Sequence, residues 1–332
     1  MKPTLVLLSV SVTLAAAAAA AAADSGTLKL EGRIALPGVR GRFDHFAIDT
    51  NGHRLFVAAL GNNTLEIIDT ATNKRLKSIP KLHKPTGVLF LAEPNQIAVA
   101  NGDDGTLKVF DGNTLELVKT VGSLDDADNV RLDAVKKQIY LGYGDGALAV
   151  IDATTIKQTG SIKLPAHPES FQLEIRGPRI FVNVPGAKAV AVIDRDKGNI
   201  VATWPMKEFQ ANFPMALDEA NQRLFVGCRS PARLVVIDTS NGKAVANLPI
   251  SGDTDDLFYH AAPKRIYLSC GEGYVDVVDQ SDADHYQFRE KMPTRAGART
   301  SFFITGPDKF FLAVPRRANK EAEINLFQAL NH

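Results

Sequence analysis

The chain has 332 residues, with 38 basic against 37 acidic and 45% hydrophobic content. A net charge of +1 gives no general pull toward nucleic acid or an acidic membrane, and ordinary apolar content at that charge excludes a disordered chain. Two cysteines are too few for a disulfide scaffold, while 25 Gly and 17 Pro against four Met and one Trp fit a turn-rich β protein.

Residues 1–23 read MKPTLVLLSVSVTLAAAAAAAAA, with Lys2 first, an apolar core from Leu5 to Leu14 and then an alanine tract. A basic start, an apolar core and small residues before a cut describe a secretory signal, with cleavage expected near Ala23. The alternative is an uncleaved anchor, because Leu5–Ala23 is nearly long enough to span a bilayer. Cleavage removes one basic residue, Lys2, and leaves 37 of each sign. The expectation is a secreted or periplasmic protein whose residues 24–332 form one domain, monomeric and with no further membrane span.

From there an internal repeat organises the chain. Ile67-Ile68-Asp69 recurs as Val109-Phe110-Asp111, Val150-Ile151-Asp152, Val192-Ile193-Asp194, Val236-Ile237-Asp238 and Val277-Val278-Asp279, with Asp-to-Asp steps of 42, 41, 42, 44 and 41 residues. In the first unit, Phe43–Asp49, Arg54–Ala59, Thr64–Asp69 and Lys74–Ile79 are short β-branched runs separated by Thr-Asn-Gly, Gly-Asn-Asn and Ala-Thr-Asn turns. Four short strands in such a period predict a propeller blade. Inner strands start near Phe43, Pro85, Ala127, Pro168, Asn212, Thr254 and Arg299, so the fold class is all-β, a seven-bladed propeller. The seventh unit has a third strand at Glu323–Phe327, Gln328 in place of the repeat Asp, and no fourth strand. Leu28–Leu36 has the pattern of an outer strand and is expected to close that last blade, joining the chain ends. The six repeat Asp residues end third strands before Asn- and Gly-bearing turns, where a carboxylate can accept bonds from backbone N–H groups two residues on.

The units LEIIDTATNKRLKSIP and LVVIDTSNGKAVANLPI resemble the YVTN repeats of YncE-like seven-bladed propellers. The resemblance runs from about Leu28 to Phe327. Tyr-Val-Thr-Asn itself is replaced by FVAALGNN, IAVANGDD and FVNVPGAK, and the WD dipeptide of WD40 blades is absent. The resemblance implies the fold; this family and the neighbouring lactonase-like and lyase-like propellers include enzymes, binding proteins and surface proteins.

Aligned on Asp49, Asp133, Glu174 and Asp218, the inner strands are apolar one and three residues earlier, as at Ile48 and Phe46. Four and five residues earlier they turn polar: Asp44-His45, Asp128-Asn129, Glu169-Ser170 and Asp255-Asp256, with His167 and Asn212 close by. These positions fall at one mouth of the central channel, where rigidly held loops carry function. Crowded carboxylates need a cation, protons or water. The candidate metal ligands are Glu169, Asp255 and Asp256, and hard oxygens suit Ca²⁺ or Mg²⁺, while His45 or His167 would favour a transition metal. His45 is a candidate general base. Asp128, Asn129, His167, Asn212, Arg42 and Arg299 are candidate ligand-binding residues. Blades 3, 4 and 6 make an acidic arc, from Asp125 to Asp256; Arg40, Arg42, Arg295, Arg299, Arg316 and Arg317 make a basic one. The leading expectation is a small molecule or protein partner bound at this mouth. A metal-dependent lactonase- or lyase-like hydrolase and a protein-interaction scaffold are the alternatives, as is a mouth that is merely solvated. Cys228 and Cys270 occupy equivalent places in adjacent blades; a disulfide needs Cα atoms within about 7 Å, and free buried thiols are the other outcome.

Overall fold

The computed structural model describes residues 26–331; the expected signal at 1–23 lies outside them. Twenty-eight strands form seven four-stranded antiparallel sheets. Two short 3-10 turns, Leu60–Asn62 and Pro185–Ala187, are the only helical pieces among the described residues. Blade 1 runs outward through Phe46–Asp49, Arg54–Ala59, Thr64–Asp69 and Lys74–Ile79. The other inner strands are Pro85–Leu91, Val130–Asp133, Phe171–Leu173, Gln210–Asp218, Thr254–His260 and Ser301–Ile304. The last blade is completed as the repeat pattern requires. Leu28–Leu36 lies antiparallel to Ala322–Ala329, with Leu28 opposite Ala329 and Leu36 opposite Ala322.

The packing explains the residue pattern. Second and third strands are covered on both faces by neighbouring blades, so runs such as Leu55–Ala59 are apolar throughout and buried throughout. Outer strands keep one face in water and alternate accordingly, as in Asn199–Pro205. Seven apolar clusters fill the seven interfaces between blades. At the closing interface Ile34, Leu36 and Ile324 pack with Leu55, Val57 and Ile68 of blade 1.

Five of the six repeat Asp residues form their turns. Asp69, for example, accepts from the N–H groups of Ala71 and Thr72 at 2.8 and 3.2 Å, and Asp111, Asp152, Asp194 and Asp238 do likewise. Asp279 departs from the expectation. Blade 6 has a longer turn in which Asp282 accepts from the N–H groups of Asp284 and His285, and Asp279 pairs with Arg265 and Arg289 at 2.9 and 2.8 Å.

A second device ties the blades together on the face opposite the mouth. An Arg at the start of the second strand reaches a turn carbonyl of the next blade: Arg54 to Gly112, Arg179 to Thr239, Arg223 to Ala283 and Arg265 to Leu330. In blades 1, 4, 5 and 6 the same guanidinium pairs with a carboxylate of its own blade, Asp49, Glu174, Asp238 and Asp279 respectively. Blade 3 has Gln138 at this place, and Arg195 of blade 4 reaches back to Asp133 at 2.6 Å instead.

Cys228 and Cys270 are free and buried. One packs between blades 4 and 5, the other between blades 5 and 6. Equivalent positions serve successive interfaces, so a whole sheet separates them. Burial pushes the Cys228 thiol up to about 12 and raises that of Cys270 as well.

Candidate functional site

The mouth is built by a recurring break in strand pairing. In blade 1 Asp44 N–H donates to the Ala58 carbonyl at 2.8 Å, and Ala58 N–H donates to the His45 carbonyl at 3.0 Å. Two residues thus oppose one, which is a β-bulge. Asp128 and Asn129 oppose Gly142 in the same way, and Glu169 and Ser170 oppose Asn183. In blade 6 Thr254 faces Cys270 and Asp256 faces Ser269, leaving Asp255 as the extra residue. A bulge interrupts the alternation of a strand and re-aims its side chains. Adjacent polar residues can therefore both serve the mouth.

A cavity of about 250 Å³ results. Arg42, Asp44, His45, Asp128, Asn129, His167, Glu169, Asp255 and Arg299, all singled out by sequence, line it. Lys84, Thr86, Asp126, Ser170, Phe213 and Arg229 complete the lining. Below it the channel widens to about 480 Å³ between apolar inner strands, including Phe46, Phe90, Leu132 and Phe302, with Arg131 and Gln172 among them. Burial depresses the Arg131 guanidinium, against the pull of Asp256 and Asp128.

Two of the expected ligands have other partners. Asp255 is gripped by Arg229 and by Arg299, whose Nε is 3.0 Å away. Arg299 also holds Asp253 at 2.7 Å, and the Arg229 guanidinium lies 3.8 Å from the centre of the Phe213 ring. Asp256 accepts from Ser301 N–H at 2.7 Å and lies 3.7 Å from His45 Nδ1. Asp255 and Asp256 thus stand apart from Glu169 in their bonding. The basic arc likewise divides. Arg295 points to Glu323 and the Pro315 and Glu321 carbonyls, and Arg316 pairs with Glu321, so neither lines the mouth cavity. Asn212 is fully buried and does not line it either. Its amide donates to Asn183 Oδ1 at 2.8 Å and to the Ala189 carbonyl at 3.1 Å. It locks blade 5 onto blade 4.

The remaining acids come from blades 1, 3 and 4. Among the described residues, no Lys or Arg lies within ion-pair distance of Asp44, Asp128 or Glu169. Their close basic groups are imidazoles: His45 Nε2 is 3.5 Å from Asp44, and His167 Nε2 is 3.7 Å from Asp128. Burial raises the Asp44 carboxyl to about 7, moderated by His45 and reinforced by Asp128 and Asp255. Burial and then Asp128 raise Glu169 to about 8, with His167 opposing. Burial works against the His45 imidazolium, but Asp44, Asp256 and Asp128 outweigh it and hold the group at about 10. Asp128, 3.7 Å away, lifts His167 to about 9 against its burial. His45 therefore carries its proton at neutral pH. In that state it can donate a hydrogen bond, and a general-base role would require that proton to leave first.

Sequence reasoning missed Arg229, Lys84 and Arg131. Arg229 is the penultimate residue of the second strand of blade 5, Arg223–Ser230, at the end that faces the mouth by topology, so its position was a readable signal. Lys84 sits directly before an inner strand and bonds Asp126 at 3.0 Å. Arg131 stands between Val130 and Leu132 in its inner strand, and nothing in its own blade announces the channel it enters.

No family model matches the sequence. Two curated relatives do: the uncharacterized YncE proteins of Salmonella typhimurium and Salmonella typhi, each 24% identical over 203 residues. The matched region is 59% of this chain and 56% of each relative, so it spans little more than half their length. A chain of Kuenenia stuttgartiensis hydrazine synthase superposes with a TM-score of 0.77 at 16% identity, over 90% of this chain and 99% of that one. A chain of the mitotic checkpoint complex gives 0.75 at 13% identity, over 97% and 98%. These structural likenesses show the fold alone. Weak homology to YncE and seven four-stranded blades fit a YncE-like propeller family.

Proposed function

We propose that this is an exported propeller that binds a small polar ligand, free or displayed by a partner, at the channel mouth. The carrying observation is the convergence of Asp44, Asp128 and Glu169 on one cavity with no Lys or Arg in ion-pair reach among the described residues. Carboxylates so placed are relieved by a cation or by hydrogen-bond donors brought from outside. Arg42 lines the same cavity and offers a planar fork to an acceptor. A ligand with an ammonium or hydroxyl-rich end and a carboxylate end suits both features. The bulged strands and the ring behind them keep these groups in place before binding, which limits the ordering cost. Export rests on the N-terminal pattern of residues 1–23, and no helix among the described residues is long and apolar enough to cross a membrane.

The test is a calorimetric and thermal-shift panel of amino acids, polyamines, polyols and hydroxy acids against the mature protein. Binding that falls in Glu169→Gln and in Arg42→Ala is expected. Retained binding in both variants, or no binding from any class, refutes the assignment. A parallel panel of lactones and esters separates binding from catalysis: turnover abolished in His45→Ala would make the mouth an active site.

A further inference from the structure

One part of the mouth is more specific than a polar cavity. Asp128, His167 and Glu169 each present a ligand atom, and the three atoms lie within 4.8 Å of one another. His167 Nδ1 is 2.7 Å from the Gly144 carbonyl. A carbonyl only accepts, so Nδ1 carries the proton there, and in the neutral ring the lone pair sits on Nε2. That atom faces Asp128 at 3.7 Å. Metal-binding histidines are oriented in this way, one nitrogen donating to a carbonyl and the other left to ligate. Asp44, His45 and Asp128 meet the same distance test. There, however, Nδ1 faces Asp256 and Nε2 faces Asp44, so no carbonyl sets one nitrogen aside as Gly144 does for Nδ1 of His167, which lies farther, at 3.8 Å, from Asp126.

A separate observation concerns Asn129. It lines the cavity, is only 2% exposed, and its Oδ1 has no hydrogen-bond partner. Buried amide oxygens seldom stay unpaired, and each exception calls for an explanation. An electropositive group in the cavity supplies one.

Resting on the reading of the mouth as a ligand site, we propose that Asp128, His167 and Glu169 bind one first-row divalent ion, with Asn129 Oδ1 as a further oxygen ligand. One imidazole nitrogen among oxygen donors selects Zn²⁺ or Mn²⁺ over Ca²⁺ and Mg²⁺. This moves the metal away from the Ca²⁺ or Mg²⁺ site on Glu169, Asp255 and Asp256 that the sequence suggested. Asp255 is taken up by two guanidinium groups and Asp256 by Ser301 N–H and His45. The ion would face the open cavity, where an oxygen of the small ligand can complete its coordination.

The experiment is titration of Zn²⁺ alone, with Mn²⁺ and Ca²⁺ as further arms, into chelator-treated and dialysed mature protein. Calorimetry and metal analysis read the result. One Zn²⁺ per chain is expected, together with a higher melting temperature. His167→Gln and Glu169→Gln should each weaken uptake by at least about tenfold, since even outer-shell partners are worth that much. Their melting curves without metal show whether the fold survives. The exposed Asp282–His285 pair, 2.8 Å apart, is the obvious competing surface site. His285→Ala should leave uptake unchanged. No Zn²⁺ uptake by the wild type overturns the proposal, as does uptake that persists in a folded His167→Gln variant or disappears in His285→Ala. Repeating the small-ligand panel in chelator keeps the two readings separate. Ligand binding without Zn²⁺ uptake rejects the ion alone, whereas failure of the panel with and without metal rejects the mouth as a ligand site.

Discussion

Ring closure depends on one strand from the far end of the chain, and Ile34 measures its contribution. Ile34 is 1% exposed and joins blade 7 to Leu55 and Val57 of blade 1. Ile34→Ala deletes three carbons. At about 0.8 kcal/mol per buried methylene this costs about 2.4 kcal/mol, and a residual cavity brings the loss to about 3 to 4 kcal/mol. A folded domain of about 300 residues has an unfolding entropy near 0.6 kcal/mol per kelvin, so the melting temperature should drop by about 5 to 7 °C. Leu30 on the same strand is 38% exposed, and Leu30→Ala should cost under about 1 kcal/mol, or under about 2 °C. Thermal unfolding followed by circular dichroism gives both numbers. Fluorescence of the single Trp204, packed between blades 4 and 5, shows whether a far part of the ring melts in the same transition. Equal melting temperatures for the two variants would mean that the strand does not seal the ring in solution. A loss seen by dichroism but not by Trp204 would mean that the ring does not unfold as one unit.

Other perturbations probe the joints, the mouth and the thiols. Arg195 and Asp133 are 7% and 5% exposed and 2.6 Å apart; Arg195→Met should cost about 3 to 5 kcal/mol in urea unfolding by stranding a buried carboxylate. Adding Asp133→Asn should recover part of that loss, and simple additivity of the two would contradict the pairing. A Cβ on Gly87 would sit 2.3 Å from the Asp128 carbonyl oxygen, so Gly87→Ala should destabilise by about 1 to 3 kcal/mol and weaken binding at the mouth; an unchanged melting curve would refute the close approach. Cys228 and Cys270 should react with a thiol reagent at pH 8 only as the protein unfolds, because both are fully buried and the Cys228 thiol is held near 12. Prompt labelling of the folded protein would contradict their placement.

The blade count, the closing strand and the turn role of five repeat Asp residues were legible because each depends on short-range pattern. Alternation, turn residues and a period near 42 residues all lie within one unit. Asp279 escaped for a local reason too, since three extra residues let Asp282 assume its role. The mouth was legible as a set of polar positions but not as a set of contacts. Asn212 occupies a polar mouth position in the alignment, yet its amide turns into the joint between blades. Asp255 looked like a ligand until Arg229 and Arg299 arrived from the two neighbouring blades.

The amino-acid sequence by itself therefore determined a seven-unit ring, its direction and its closure. Only the tertiary structure decided which charges face one another. Partners at the mouth sit a blade apart along the chain, as Lys84 and Asp126 or Thr86 and the Ala127 carbonyl do, and no local period encodes such pairing. The bulges add a second break: they suspend strand alternation where it would have predicted side-chain direction. The repeat made the frame readable, and the interruptions of the repeat made the site.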